Sequence, residues 1–245
     1  MNDLPAPEPR EFATTHWSLV VAAKPDEASQ TNARKALEQL CRAYWYPLYA
    51  FVRNRGHSST DAQDLTQSFF ARIIETGGFA SADPKRGRFR SYLLGAMKHF
   101  LANEWDRAQA QKRGGGVTFL ELDSLDPEAR YALEPAQSPD PDAGFDREWA
   151  QESIARAMNH LRAESEAGGK AELFATLKGS LIGQGPTRSE AAAQLGMTEG
   201  AVKVAVHRLR RRYREILRAE IAQTVTDPSD IDDEMRHLVD ALRGK

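Results

Sequence analysis

The side chains able to make and break bonds are few and scattered. Six histidines stand at positions 16, 57, 99, 160, 207 and 237. None of them forms the H-E-x-x-H spacing that lets one helix face offer two ligands to zinc. There is no G-x-S-x-G nucleophile elbow and no Walker phosphate loop. Gly114-Gly115-Gly116 lacks a following Lys-Ser/Thr and reads as a hinge. The single cysteine, Cys41, lies on an apolar stripe and reads as a core residue. One cysteine excludes an intrachain disulfide framework and any multi-cysteine metal site. The expectation is no catalytic residue, no metal, no cofactor and no enzyme activity.

The chemistry that remains is ionic. Lys plus Arg number 33 and Asp plus Glu 35, a net charge of −2. The total points to no polyanion, but the charges segregate. Residues 199–214 carry Lys203, His207, Arg208, Arg211 and Arg214 opposite an inner stripe of Ala201, Val202, Ala205, Val206, Leu209 and Tyr213. In the window 188–207, Ala192, Gly196 and Val202 fall at the fifth, ninth and fifteenth places. That is the steric pattern of a helix–turn–helix. A small residue allows close approach, Gly196 allows a positive-φ turn, and Val202 plugs the second helix onto the first. Thr198 is a natural N-cap. In such motifs the start of the second helix reaches base edges, and cations further along neutralise phosphates. The candidate DNA contacts are Thr198, Glu199, Gly200, Lys203, His207, Arg208 and Arg211. The bland alternative is a solvated basic face on an ordinary bundle helix.

A second basic segment, 85–113, interleaves Lys85, Arg86, Arg88, Arg90, Lys98, Arg107, Lys112 and Arg113 with Phe89, Tyr92, Phe100 and Trp105. Basic plus aromatic suits unstacked single-stranded bases, although Phe89 and Phe100 also lie on a core stripe. Just before it, Asp61, Asp64 and Gln67 share one helix face. Spacing alone leaves that face either solvated or docked on a basic partner.

These residues need helices to position them. Apolar steps of three and four run through Leu37, Leu40, Cys41, Tyr44, Leu48, Phe51 and Val52, with Pro47 expected to kink or interrupt the helix. Ala62, Leu65, Phe69 and Ile73 mark a second helix, begun by caps among Ser58–Asp61. Phe89, Leu93, Ala96, Met97, Phe100 and Leu101 mark a third. Val117–Leu122 is one weak β-like run. Residues 114–145 are acidic and rich in proline, a flexible linker. A coil of about 30 residues has an r.m.s. span of roughly 30 Å. Helical patterning resumes at Asp146. The predicted class is all-α: two helical domains, an N-terminal bundle and a C-terminal helix–turn–helix bundle, joined by an acidic, proline-containing linker. The predicted divisions are a leader over 1–29 with a short helix near His16–Val20, a bundle over 30–113, the linker over 114–145, the helix–turn–helix domain over 146–225 and an acidic tail helix over 226–245. The leader has no signal-peptide pattern, and no stretch approaches the roughly 20 apolar residues of a membrane span. A cytoplasmic protein is expected.

Asp61-Ala62-Gln63-Asp64-Leu65-Thr66-Gln67-Ser68-Phe69-Phe70 resembles the D-A-E-D-L-x-Q-x-x-F stretch of bacterial RNA polymerase sigma factors, of the sigma-70 family and its two-domain extracytoplasmic-function (ECF) class. Gly87–Leu93 and the helix to Arg107 resemble its promoter-melting segment, and Glu190–Leu217 its C-terminal helix–turn–helix. The resemblance covers roughly residues 35–223. It implies that 30–113 is a region 2-like domain and 146–225 a region 4-like domain. It further implies that Asp61, Asp64 and Gln67 dock on the polymerase clamp helices. Arg88, Arg90, Tyr92, Lys98, His99, Asn103 and Arg107 would capture the opened −10 strand. The helix–turn–helix would read the −35 duplex and touch the polymerase flap. The implied partners are core RNA polymerase, promoter DNA and an anti-sigma factor. Tyr92, His99, Asn103 and Gln63 depart from the residues common at their places. The acidic tail, with Asp227, Asp230, Asp232, Asp233 and Glu234, is a candidate clasp folding back on the basic helix. The rival reading is a conventional helix–turn–helix regulator acting as a dimer.

Overall fold

The computed structural model describes residues 27–75, 88–110, 127–132, 140–225 and 227–244. Among them all regular structure is helical. Helix α1 spans Glu27–Asn54, α2 Ser59–Glu75, α3 Phe89–Ala110, α4 Pro127–Ala132, α5 Pro141–Ala167, α6 Ala171–Leu177, α7 Arg188–Leu195, α8 Glu199–Ala222 and α9 Ile231–Arg243. Short 3₁₀ turns occupy Lys178–Leu181 and Pro228–Asp230. The expected leader helix at His16–Val20, the Gly114–Gly116 hinge and the Val117–Leu122 run lie outside the described residues.

The stripes read from the sequence become the first core. Tyr44, Leu48, Phe51, Phe69, Phe89, Leu93 and Met97 are buried where α1, α2 and α3 meet. Their rings pack edge to face, Tyr44 on Phe89 at 5.0 Å and Phe69 on Phe100 at 5.7 Å, the geometry that aromatic quadrupoles favour. Ser58 caps α2, its Oγ accepting the Asp61 N–H at 3.1 Å. Cys41 is buried in this core. Burial and the nearby Glu38 push its thiol up to about 12, which keeps it protonated and unreactive.

The expected interruption at Pro47 is corrected: α1 runs unbroken from Glu27 to Asn54. Proline has no N–H to give the carbonyl four residues back. Here that carbonyl belongs to Ala43, and it accepts instead from Arg156 Nη1 of α5 at 3.1 Å. A donor from another helix replaces the missing local one.

The acidic 114–145 segment contains two helical stretches. Helix α4 is clipped to α1. Glu128 accepts from Tyr49 Oη at 2.5 Å and from Arg53 Nε and Nη2 at 3.1 and 2.8 Å. Tyr131 Oη donates to Asn54 Oδ1 at 2.8 Å. The hydrogen bond from Tyr49, and then Arg53, hold the Glu128 carboxyl below its usual range. Helix α5 begins at Pro141, ahead of the predicted Asp146, with Asp140 as N-cap and proline in the first turn.

Helix α5 serves both halves of the molecule. Near its start, Phe145 and Trp149 are fully buried, and the Phe145 ring lies 6.4 Å from Phe51 of α1. Near its end, Leu161 is buried and Glu164 engages Arg212 of α8. Helix α9 packs against α5 and α8 through Ile231, Leu238 and Ala241.

Candidate nucleic-acid interface

Helices α7 and α8 form the predicted helix–turn–helix. A reciprocal capping box starts α7: Glu190 N–H donates to Thr187 Oγ1 at 3.3 Å, and Thr187 N–H donates to Glu190 Oε2 at 2.8 Å. Gly196 ends it in the left-handed region at φ 62°, where a Cβ is unfavourable. Thr198 caps α8, accepting from the Ala201 N–H at 3.2 Å. Ala192 and Val202 are both buried, as the window pattern requires.

The cations of α8 divide into two sets. Arg210 and Arg212 fix the helix to its neighbours. Arg210 donates through Nη2 to the Ser180 carbonyl at 2.7 Å. Arg212 forks onto Glu164 at 2.8–3.0 Å, a charge-assisted pair with directional geometry. That pair holds the Glu164 carboxyl below its usual range. Gly185 lets the preceding turn close, since a Cβ there would sit 2.5 Å from the Ser180 nitrogen. Other residues of α8 and its cap, cations among them, point outward. Thr198, Glu199, Gly200, Lys203, His207, Arg208 and Arg211 are all exposed, and Arg211 pairs only along its own helix with Glu215 at 2.9 Å. All seven expected DNA contacts therefore line one accessible stretch of α8 and its cap. A groove of about 670 Å³ flanks it, lined by Leu161, Leu173, Met197, Ala201, Val204 and Leu209.

On α2, Asp61 and Asp64 are exposed and Gln67 is half-buried, while Ala62, Phe69 and Ile73 face the core. Between Asp61, Asp64 and α3 lies a second groove, of about 650 Å³, with Leu65 and Leu101 in its lining.

The α3 set is placed differently. His99 is exposed, while Tyr92 and Asn103 are half-buried. The side chains of Trp105 and Arg107 lie outside the described residues. Arg88, Arg90 and Lys98 are engaged by acids of other helices. Lys98 pairs with Asp142. Arg88 Nε meets Glu234 Oε2 at 3.0 Å. Arg90 is buried, with Nε on Glu234 Oε1 at 3.0 Å, Nη1 on Asp146 Oδ1 at 2.5 Å and its guanidinium over the Trp149 ring at 5.0 Å. The acidic tail does fold back, and one of its pairs, Asp232 with Arg218, is on the basic helix as expected. Its buried carboxylate goes to α3 instead. Sequence reading missed Asp146 and Arg156. The signal for Arg156 was Pro47 itself, since a proline inside a helix demands a foreign donor for the carbonyl it abandons.

Among the described residues there is no group of acids, histidines and cysteines arranged to hold a metal. Nor is any helix there long and apolar enough to cross a membrane. The family model described as ECF sigma factor matches residues 27–219, from the start of α1 to near the end of α8. Among curated proteins and among solved structures, nothing matches. ECF sigma factors are non-enzymatic proteins that bind core RNA polymerase and promoter DNA. With the helix–turn–helix formed as its spacing predicts, and the family model spanning both helical halves, the chain belongs to the ECF sigma factor family and acts in transcription initiation.

Proposed function

We propose that the chain directs core RNA polymerase, in the cytoplasm, to promoters with two dissimilar boxes. In this reading residues 30–113 act as region 2 and residues 146–225 as region 4. The face formed by the exposed Asp61 and Asp64 and the half-buried Gln67 docks on the polymerase clamp helices. The start of α8, from Thr198 to Arg211, reads the −35 duplex in the major groove, and the same domain touches the flap. Arg88, Arg90, Tyr92, Lys98, His99, Asn103 and Arg107 take the −10 strand. An anti-sigma factor is a partner of the kind this family uses.

The observation that carries the reading is the set of seven exposed residues along α8 and its cap, positioned by the caps and by the Arg210 and Arg212 anchors. Energetics supports the division of labour. Opening a duplex costs about 1.4 kcal/mol per base step, and stacking a base on an aromatic returns about 1–3 kcal/mol. A small domain can hold a few captured bases, but opening the duplex needs the polymerase.

The test is co-elution of the purified chain with bacterial core polymerase, with Asp64→Arg as the control. Stable binding that the charge reversal abolishes is expected. A chain that ignores the polymerase, dimerises and shifts palindromic duplex DNA alone is instead a conventional regulator.

A further inference from the structure

Helix α9 lies beyond the residues that the family model matches, and the family reading gives it no task. Its position is nonetheless highly specific. Glu234 projects from α9 into the junction of α3, α5 and α9, where its side chain is 0% exposed. There it bridges two arginines at once, Arg88 Nε at 3.0 Å and Arg90 Nε at 3.0 Å. A longer contact, 3.4 Å from Arg90 Nη2, completes a side-on fork. Asp233 approaches Arg88 at 4.0 Å. Asp146 of α5 takes the other end of Arg90 and also meets His237 of α9 at 3.1 Å. The backbone joins in, with Phe89 N–H donating to the Thr224 carbonyl at 3.4 Å.

A carboxylate gripped by two guanidiniums is chemically what a nucleic-acid phosphate would be at the same place. Both present two oxygens to planar N–H forks. A buried ion pair also suits a switch. Against well-packed apolar residues it adds little net stability, yet breaking it by removing one partner is strongly unfavourable. An incoming anion that replaces the lost partner removes that penalty.

We propose that α9 is an autoinhibitory lock, in which the Glu234 carboxylate occupies Arg88 and Arg90 in place of a DNA phosphate. Single-stranded DNA and α9 then compete for the same two guanidiniums. The lock rests on the reading above that these arginines contact the −10 strand. It holds the free chain in a form that engages DNA poorly until the strand displaces the helix.

The experiment uses the full chain and a fluorescent random-sequence single-stranded oligonucleotide, with hydrogen exchange of the α9 amides as a separate readout. Glu234→Gln should speed α9 exchange and tighten oligonucleotide binding about tenfold, the gain expected if the open form is one part in ten of the wild-type population. Arg88→Ala added to Glu234→Gln should remove the gain. The wild-type chain supplies a readout free of any folding defect. Competition is reciprocal, so saturating oligonucleotide should itself speed exchange in α9. Unchanged α9 exchange in both settings overturns the lock. Faster α9 exchange in Glu234→Gln with oligonucleotide affinity unmoved leaves α9 detachable but overturns Arg88 and Arg90 as strand contacts. Loss of polymerase co-elution on Asp64→Arg is independent of either result.

Discussion

At the scale of single residues, the motif is carried by side chains that are small or absent as much as by those that are charged. Gly196 holds a left-handed conformation at φ 62°, and any Cβ there costs roughly 1–2 kcal/mol. Gly196→Ala should lower the urea midpoint accordingly and tilt α8 against α7. The check is equilibrium denaturation alongside duplex binding, with affinity falling by more than the unfolded fraction explains. This position was legible because its demand is local: one φ angle between two helices, flanked by Ala192 and Val202. Arg90 was not legible in the same way. Its type and neighbours read as a nucleic-acid contact, and nothing within a helical turn foretold burial. The partners that bury it, Asp146 and Glu234, stand 56 and 144 residues away.

At the scale of elements, most helices follow from periodicity, because an amphipathic stripe states which face must leave water. Most described stripe residues of α1, α2 and α3 are buried, with Leu65 and Ala96 half-buried, whereas on α8 Val202 and Leu209 are buried and Ala201, Ala205, Val206 and Tyr213 half-buried. Two elements escaped. Helix α4 sits in a composition typical of coil, and its hold on α1 comes from Glu128 and Tyr131 meeting Arg53, Tyr49 and Asn54. The continuity of α1 through Pro47 escaped because the compensating donor, Arg156, lies on α5. That compensation is measurable. Arg156→Met should cost about 1–3 kcal/mol, the penalty of an acceptor left unserved. In a Pro47→Ala background the helix makes its own bond to Ala43, and the same change should cost clearly less. A double-mutant cycle on denaturation midpoints reads the difference. A coupling energy near zero would show that the Ala43 contact contributes nothing to α1.

At the scale of the whole molecule, the composition shift near residue 114 predicts two helical domains, and one helix packs along both halves. Helix α5 buries Phe145 and Trp149 on the α1 side and Leu161 on the α8 side. It also anchors α9 through Asp146. No periodicity can reveal that a stripe continues across two cores, because the pattern is the same for one partner or two. The free chain should therefore unfold in a single transition, with fluorescence and far-UV circular dichroism superimposing. Trp149→Ala, which empties the centre of the shared seam, should cost about 3–5 kcal/mol. It should also split the transition in two, because the α7–α8 unit keeps its own caps and its Arg212 anchor. A single, lower transition in the variant would instead mean that α7 and α8 have no stability apart from the shared seam.

The bond from Arg156 to Ala43 also has a historical side. A proline entering the middle of α1 before any outside donor existed would have broken the helix that carries Tyr49 and Arg53. An arginine arriving first on α5 would have been nearly neutral, since Glu220 and Ser153 already offer it partners. The order of descent is thus constrained: arginine at 156 before proline at 47. Once both were present, the arginine could not be lost alone without cost, whereas the proline could, because any other residue at 47 restores the local bond to Ala43. Among homologous chains, proline at the first position should seldom occur without arginine at the second, whereas arginine without proline should be common.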